Sequence, residues 1–313
     1  IYVVSTARTR TDVEFIALAL LAGMALESLL ILLTYATGWS PSFLGLKNRS
    51  DAGEFSGRAG GTVGSPNSAA AYLCLMVPLG IGVLVSSAGG WLRRVALAAV
   101  PLGIIALLAT ESRGGWISFA ISVAIIGIWA IRRGLLSART ATVLAVGAAA
   151  LVIAFWGPIT QRIAGNDNGS ASSRISMIKL ASKMIEAHPV LGLGVNNVGI
   201  NIPVYAGPQF DGQWLYTIHD KYLLVWAEAG IFALIAFLWF LGVTLRRGWR
   251  SIRAGDPLLS PIALGLTAGV VGQLVHMGVD TFQAQAQVEG LWLVAALIAA
   301  IHLMTRRQRA QSR

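Results

Sequence analysis

Apolar runs of membrane-spanning length decide what this chain can fold into. Eight segments, at about 13–36, 66–86, 94–110, 115–131, 141–157, 221–245, 259–278 and 287–305, are each long enough to cross roughly 30 Å of hydrocarbon, which takes about 17–25 helical residues. Hydrophobic residues make up 55% of the chain and charged residues only 12%, a balance foreign to a soluble domain of this length. The net charge of +10 does not indicate a nucleic-acid partner, because the basic residues cap the apolar runs. The reading is an all-α, polytopic transmembrane helical bundle, residues 1–313 forming a single membrane domain embedded in the lipid bilayer. The lone Cys74 lies in an apolar run and has no intrachain disulfide partner. The chain opens without a signal-peptide pattern, and upstream spans are expected to be missing.

The arginines orient the spans. Arg93-Arg94, Arg132-Arg133, Arg246 to Arg253 and Arg306 to Arg313 cluster on one face, which the positive-inside rule makes cytoplasmic. The other face carries fewer bases and most of the acids. In a bacterium this reading gives an inner-membrane protein with a large periplasmic loop, 158–220, and the one long polar stretch, Asn166 to Tyr222, falls there. Residues 47–65, rich in Gly, Ser and charge, read as a loop into the second span, with Pro66 in that helix's first turn. Glu111 to Gly115 reads as a hairpin turn. Residues 173–187 read as an amphipathic helix, with Ser172 or Ser173 as N-cap and Pro189 beyond its end. Its apolar stripe is Ile175, Ile178, Ala181 and Ile185, broadened by Met177, Leu180 and Met184, and it suits a membrane surface or a cavity wall.

Chemistry-bearing residues gather on the external face. Arg58 precedes the second span, Arg113 sits in the hairpin turn, and Arg174 opens the amphipathic helix. A guanidinium offers a planar fork of donors matched to phosphate oxygens and stays charged at any relevant pH, so the functional reading is a phosphate or pyrophosphate site at the membrane surface. The plainer reading is interfacial arginines that reach for water or pair with Glu54 and Glu111. His219 can take a proton from a hydroxyl near neutrality, with Asp220 alongside. The alternative is an interfacial histidine at a helix start. His276 and Asp280, four apart on one helix face, form a second acid–base candidate. Glu27 and Glu228 lie inside spans, where an acid is costly and faces a cavity or a partner. The sequons Asn48-Arg49-Ser50 and Asn168-Gly169-Ser170 are short enough to arise by chance. No Walker loop, zinc-ligand cluster, nucleophile elbow or paired metal-binding acids stand out.

Four segments carry a family resemblance. They are Arg58 to Asn67 (RAGGTVGSPN), Thr110 to Gly115 (TESRGG), Arg174 to Asn196 (RISMIKLASKMIEAHPVLGLGVN) and His219 to Gly230 (HDKYLLVWAEAG). In this order the chain resembles the O-antigen ligase and polymerase superfamily over roughly residues 45–300. The resemblance implies a GT-C-like membrane glycosyltransferase. Such an enzyme moves a glycan from an undecaprenyl-diphosphate carrier to an acceptor hydroxyl at the periplasmic face, the acceptor being a glycan, lipid A-core or a protein. It implies no cofactor and, in the ligase branch, no metal. By motif match, Arg58 and Arg174 would hold the diphosphate with Arg113 as a third, and His219 would act on the acceptor hydroxyl. Asp220, Glu228, His276 and Asp280 are candidates for support. The family often has His-Asn where this chain has His219-Asp220. Its members usually carry more spans, so N-terminal spans are expected to be absent. A transporter or channel for a polar or anionic solute is the alternative from another class, although no inverted repeat is visible.

Overall fold

The computed structural model describes residues 2–39, 58–134, 138–164, 170–206 and 218–311, with no strand among them. Residues 47–57 of the expected loop, the first sequon and Asn168-Gly169 of the second lie outside the described residues, as do 165–169 and 207–217 of the long loop. Twelve helices are described: α1 (Tyr2–Thr6), α2 (Arg10–Thr37), α3 (Pro66–Val85), α4 (Gly90–Ala109), α5 (Arg113–Arg132), α6 (Ala138–Ala154), α7 (Trp156–Ala164), α8 (Ser170–Ala187), α9 (Val198–Ala206), α10 (Lys221–Ile252), α11 (Leu259–Met277) and α12 (Gln285–Gln311). Among the described residues, α2, α3, α4, α5, α10, α11 and α12 are long and apolar enough to cross a membrane. The segment at 141–157 is shared between α6 and α7. An all-α polytopic membrane protein is therefore the class.

The chain forms two compact units. The first comprises Ile1–Ala164, Thr244–Gln273 and Ala284–Arg313, and the second Gly165–Val243 with Leu274–Gln283. Local sequence starts the helices of the first unit cleanly. Thr9 and Asp12 form a reciprocal capping box on α2. Ser65 caps α3, whose first turn holds Pro66, and Ser112 caps α5 through the Gly115 amide. Once formed, α2 turns Val13, Ala17, Leu21, Met24, Ser28 and Ile31 inward at three- and four-residue spacing. Phe15, Leu26 and Leu29 on its other face are more than half exposed, the arrangement of a helix whose outer solvent is hydrocarbon.

Small residues set the spacing inside this unit. Lipid tails are as apolar as leucine, so helices associate through close van der Waals contact and polar links. A Cβ on Gly82 would stand 2.5 Å from the Pro261 carbonyl oxygen, and one on Gly265 would fall on the Pro78 carbonyl oxygen. Farther along, Gly269 faces the Leu75 main chain in the same way. Helices α3 and α11 thus meet backbone to backbone. The Ser122 hydroxyl of α5 donates to the Ala268 carbonyl of α11 at 2.8 Å, adding a link that no apolar pair supplies.

In the second unit, α8 and α9 pack together with the start of α10. Met177, Leu180, Ala181, Met184 and Ile185 of α8 are buried against Val198, Ile202, Ile218, Leu224 and Ala227. The covered seam of α8 is thus rotated from the expected stripe, since Ile175 is 58% and Ile178 44% exposed. The two methionines and Leu180 fill the seam because they align with the protein neighbours, which the helical period alone does not choose. The helix also starts earlier than expected, at Ser170.

Replacing Gly265 by Ala should push α3 and α11 apart and cost about 1–3 kcal/mol, the usual effect of overpacking. Gly127→Ala, where nothing lies within 4 Å, should be neutral or slightly stabilising. Thermal unfolding of the two purified variants in detergent, each against wild type, checks the contrast.

Candidate active site

Arg58 and Arg113 lie in the first unit, at the turn joining α4 to α5. The Arg58 guanidinium donates from Nε to the Thr110 carbonyl at 3.1 Å and from Nη2 to Asn67 Oδ1 at 3.0 Å. Its fork is therefore held between the turn and the first residues of α3. Arg113 is the first residue of α5 and follows the Ser112 cap, with Glu111 just before it at φ 52°. Both arginines are partly exposed.

Behind Arg58, the glycine-rich loop wraps a buried acid. Glu27, 8% exposed within α2, accepts from the Thr62 amide at 2.7 Å, the Val63 amide at 3.3 Å and the Thr62 hydroxyl. Successive amides converging on one carboxylate form a nest. Gly61 makes this possible: at φ 57° it turns the chain around the acid, and a Cβ there would overlap Glu27 Oε1. Glu27 is the residue that sequence reasoning left without a role. The signal was present as an acid within a span together with a double glycine, but nothing in the one-dimensional pattern joins positions 35 residues apart.

Arg174, His219, Asp220, Glu228, His276 and Asp280 lie in the second unit. His276 Nε2 is 3.9 Å from Asp280 Oδ2, and the residues are only 1% and 4% exposed. His276 Nδ1 finds no hydrogen-bond partner among the described residues. Arg174 is close enough to act on His276 electrostatically, and Lys221 feels both Glu228 and Asp280. Five charged or titratable groups from three helices and the chain after α11 thus share one neighbourhood, and His219 directly precedes it. Lys221 is a member that the sequence did not single out. Asp220 caps α10, its Oδ1 accepting from the Leu223 amide at 2.9 Å. Partly exposed His219 opens the same turn. The Tyr222 hydroxyl donates to the Leu274 carbonyl at 2.8 Å, tying α10 to the last turn of α11.

The motif ending in Gly192-Leu193-Gly194 and the motif ending in Glu228-Ala229-Gly230 fit one another. At Gly230, φ 79° and ψ 179° break the helix. The amides of Leu193 and Gly194 donate at 2.8 Å to the carbonyls of Ala227 and Glu228, and the Ile231 amide donates at 3.1 Å to the Pro189 carbonyl. The Trp226 indole also donates to Pro189 O, at 3.0 Å. Groups orphaned by the break are paired by the turn. The Glu228 side chain lies against the Asn196 and Val198 amides while its Oε1 has no partner among the described residues.

A guanidinium, a buried histidine–carboxylate pair and a lysine under the influence of two acids are groups of the kind that can hold a negative charge and relay a proton. Among the described residues, no three His, Cys, Asp or Glu side chains gather as metal ligands. The fold and these groups define a multi-pass membrane protein with a charged site in its second unit. Residues 97–238 match the family model described as O-antigen ligase, a match that supports the resemblance to the O-antigen ligase and polymerase superfamily. No curated protein matches the chain.

Two outcomes follow. Glu27→Ala should free the Thr62 and Val63 amides and raise their hydrogen-exchange rates about 10- to 100-fold, since bonds to a charged acceptor are worth about 1.5–3 kcal/mol. Gly230→Ala should destabilise the protein by at least about 2 kcal/mol, because a side chain there is both strained and driven into Val190. Gly242→Ala, with open space around it, serves as the reference in the same denaturation series.

Proposed function

We propose that this protein is a membrane glycosyltransferase that moves a glycan from an undecaprenyl-diphosphate carrier to an acceptor hydroxyl. The family match supports a membrane glycan ligase or polymerase role. Within that role, the observation that carries the finer reading is the gathering of Arg174 with Lys221, Glu228, His276 and Asp280 in the unit that also holds His219. The reaction takes place on the periplasmic side of a bacterial inner membrane. That placement rests on the arginine-rich ends of α10 and α12, which by charge belong in the cytoplasm.

The acceptor oxygen attacks the anomeric carbon, and the carbon–oxygen bond to the diphosphate breaks with its electron pair leaving on the diphosphate. Negative charge grows there, and fixed guanidinium groups oriented beforehand stabilise it without reorganising. Arg174 takes this role. His219 accepts the acceptor's proton as the bond forms, which contributes typically about 10²–10⁴-fold. His276 and Asp280 offer a second route for the proton, favoured by their 3.9 Å separation and their burial.

Single-turnover transfer and lipid-linked donor binding, measured side by side, separate the roles. Arg174→Ala should weaken donor binding roughly 10- to 100-fold, the loss of one charge-assisted contact, and Arg174→Lys should recover only part because a point charge lacks the fork. His219→Ala should leave donor binding near wild type and cut transfer by about 10²–10⁴-fold. Normal transfer by His219→Ala together with loss in His276→Ala assigns the base to the second pair. Uptake of solute into liposomes with no glycan transfer by wild type would instead mark a transporter.

A further inference from the structure

The turn Pro189 to Gly194 is not free to float in water above the membrane. Its main chain is bonded to α10 at Ala227, Glu228 and Ile231, six to ten residues beyond Lys221. At about 1.5 Å per residue, this is roughly 9–15 Å along the helix from its start. The 17 residues from Ala229 to Leu245 carry no charge. They measure about 26 Å, close to the roughly 30 Å thickness of hydrocarbon. The turn is therefore anchored at the level where the uncharged part of the span begins.

What the turn and α9 show outward is apolar. Leu191 is 80% exposed, Val195 70%, Ile200 76% and Val204 73%. Helix α9 has no charged residue, and its outward stripe is Gly199, Ile200, Pro203 and Val204, while Val198 and Ile202 face the protein. An exposed surface of this kind is rare on a water-facing domain. Just past the break, α10 continues the same character with Phe232 69% and Trp239 75% exposed. Helix α8 is different: Lys179, Lys183 and Glu186 are exposed along it, as on a face that meets water.

We propose that the segment Pro189–Ala206 is seated in the bilayer, its outward apolar face in contact with the acyl chains of the leaflet nearest the start of α10. The occupant is lipid because the surface continues the lipid-facing side chains of a spanning helix and is bonded to that helix at hydrocarbon level. Irregular backbone survives at this depth only when it is paired with protein, and the Ala227–Ile231 bonds supply the pairing. The charged neighbourhood of the second unit lies beside an element inserted in the leaflet, where a lipid-linked substrate would arrive by lateral diffusion. The insertion itself is independent of the proposed reaction.

The test uses the full chain in phospholipid vesicles. Leu191→Cys, Ile200→Cys, Val204→Cys and Lys183→Cys are each labelled with an environment-sensitive fluorophore; Cys74 is fully buried, so wild type is the labelling control. These side chains are outside the core, so the substitutions should cost little stability. Labels at 191, 200 and 204 should lose most of their emission when the vesicles contain nitroxide-labelled acyl chains and should resist aqueous iodide. The label at 183 should do the reverse. Iodide quenching at 191, 200 and 204 equal to that at 183 would overturn the proposal. Protection from both quenchers would also overturn it, by revealing a protein cover.

Discussion

A broken helix inside a membrane needs its orphaned peptide groups paired, and that need organises the second unit. Gly230 interrupts α10 and leaves carbonyls above and an amide below without helical partners. In hydrocarbon each unpaired group costs several kcal/mol. The Pro189–Gly194 turn supplies the partners, so two segments 33 or more residues apart become a single backbone construction. Glycine is required at Gly230 for the dihedral and at Gly192 because a Cβ would strike the Glu228 main chain. The placement of Arg174 follows, since α8 runs directly into this turn and is held by its buried methionines.

The first unit solves the related problem of a charge among apolar helices. Glu27 would be prohibitive in α2 without partners, and the 58–67 loop supplies two amides and a hydroxyl. The same loop then delivers Arg58 to the α4–α5 turn and Asn67 to the start of α3. Motif residues that look like ligand binders in sequence are thus divided between two jobs. Glycines and Glu27 shape the chain, while the arginines are presented by that shape.

Much of this was legible in order along the chain. Apolar length marked the spanning helices, and Ser65, Pro66 and Ser112 marked two helix starts. The four motif segments resembled the family whose domain matches residues 97–238. The individual side-chain roles were less legible. Asp220 reads as a companion to His219, and its carboxylate also caps α10. Lys221 reads as an ordinary interfacial base, yet both Glu228 and Asp280 act on it electrostatically. The stripe on α8 reads as Ile175, Ile178, Ala181 and Ile185, yet only the last two are buried.

The sequence by itself determined that the chain is helical, that it belongs in a bilayer and which family it resembles. Those properties follow from hydrophobic length, caps and motif order, which are local. Tertiary structure alone decided that Glu27 holds the 58–67 loop, that the glycine motifs of α8 and α10 pair through their backbones, and that Arg174 stands near His276. Each of these is a contact between positions far apart in sequence. Main-chain carbonyls and amides, which are the same in every residue, make many of the bonds, so side-chain pattern does not disclose them.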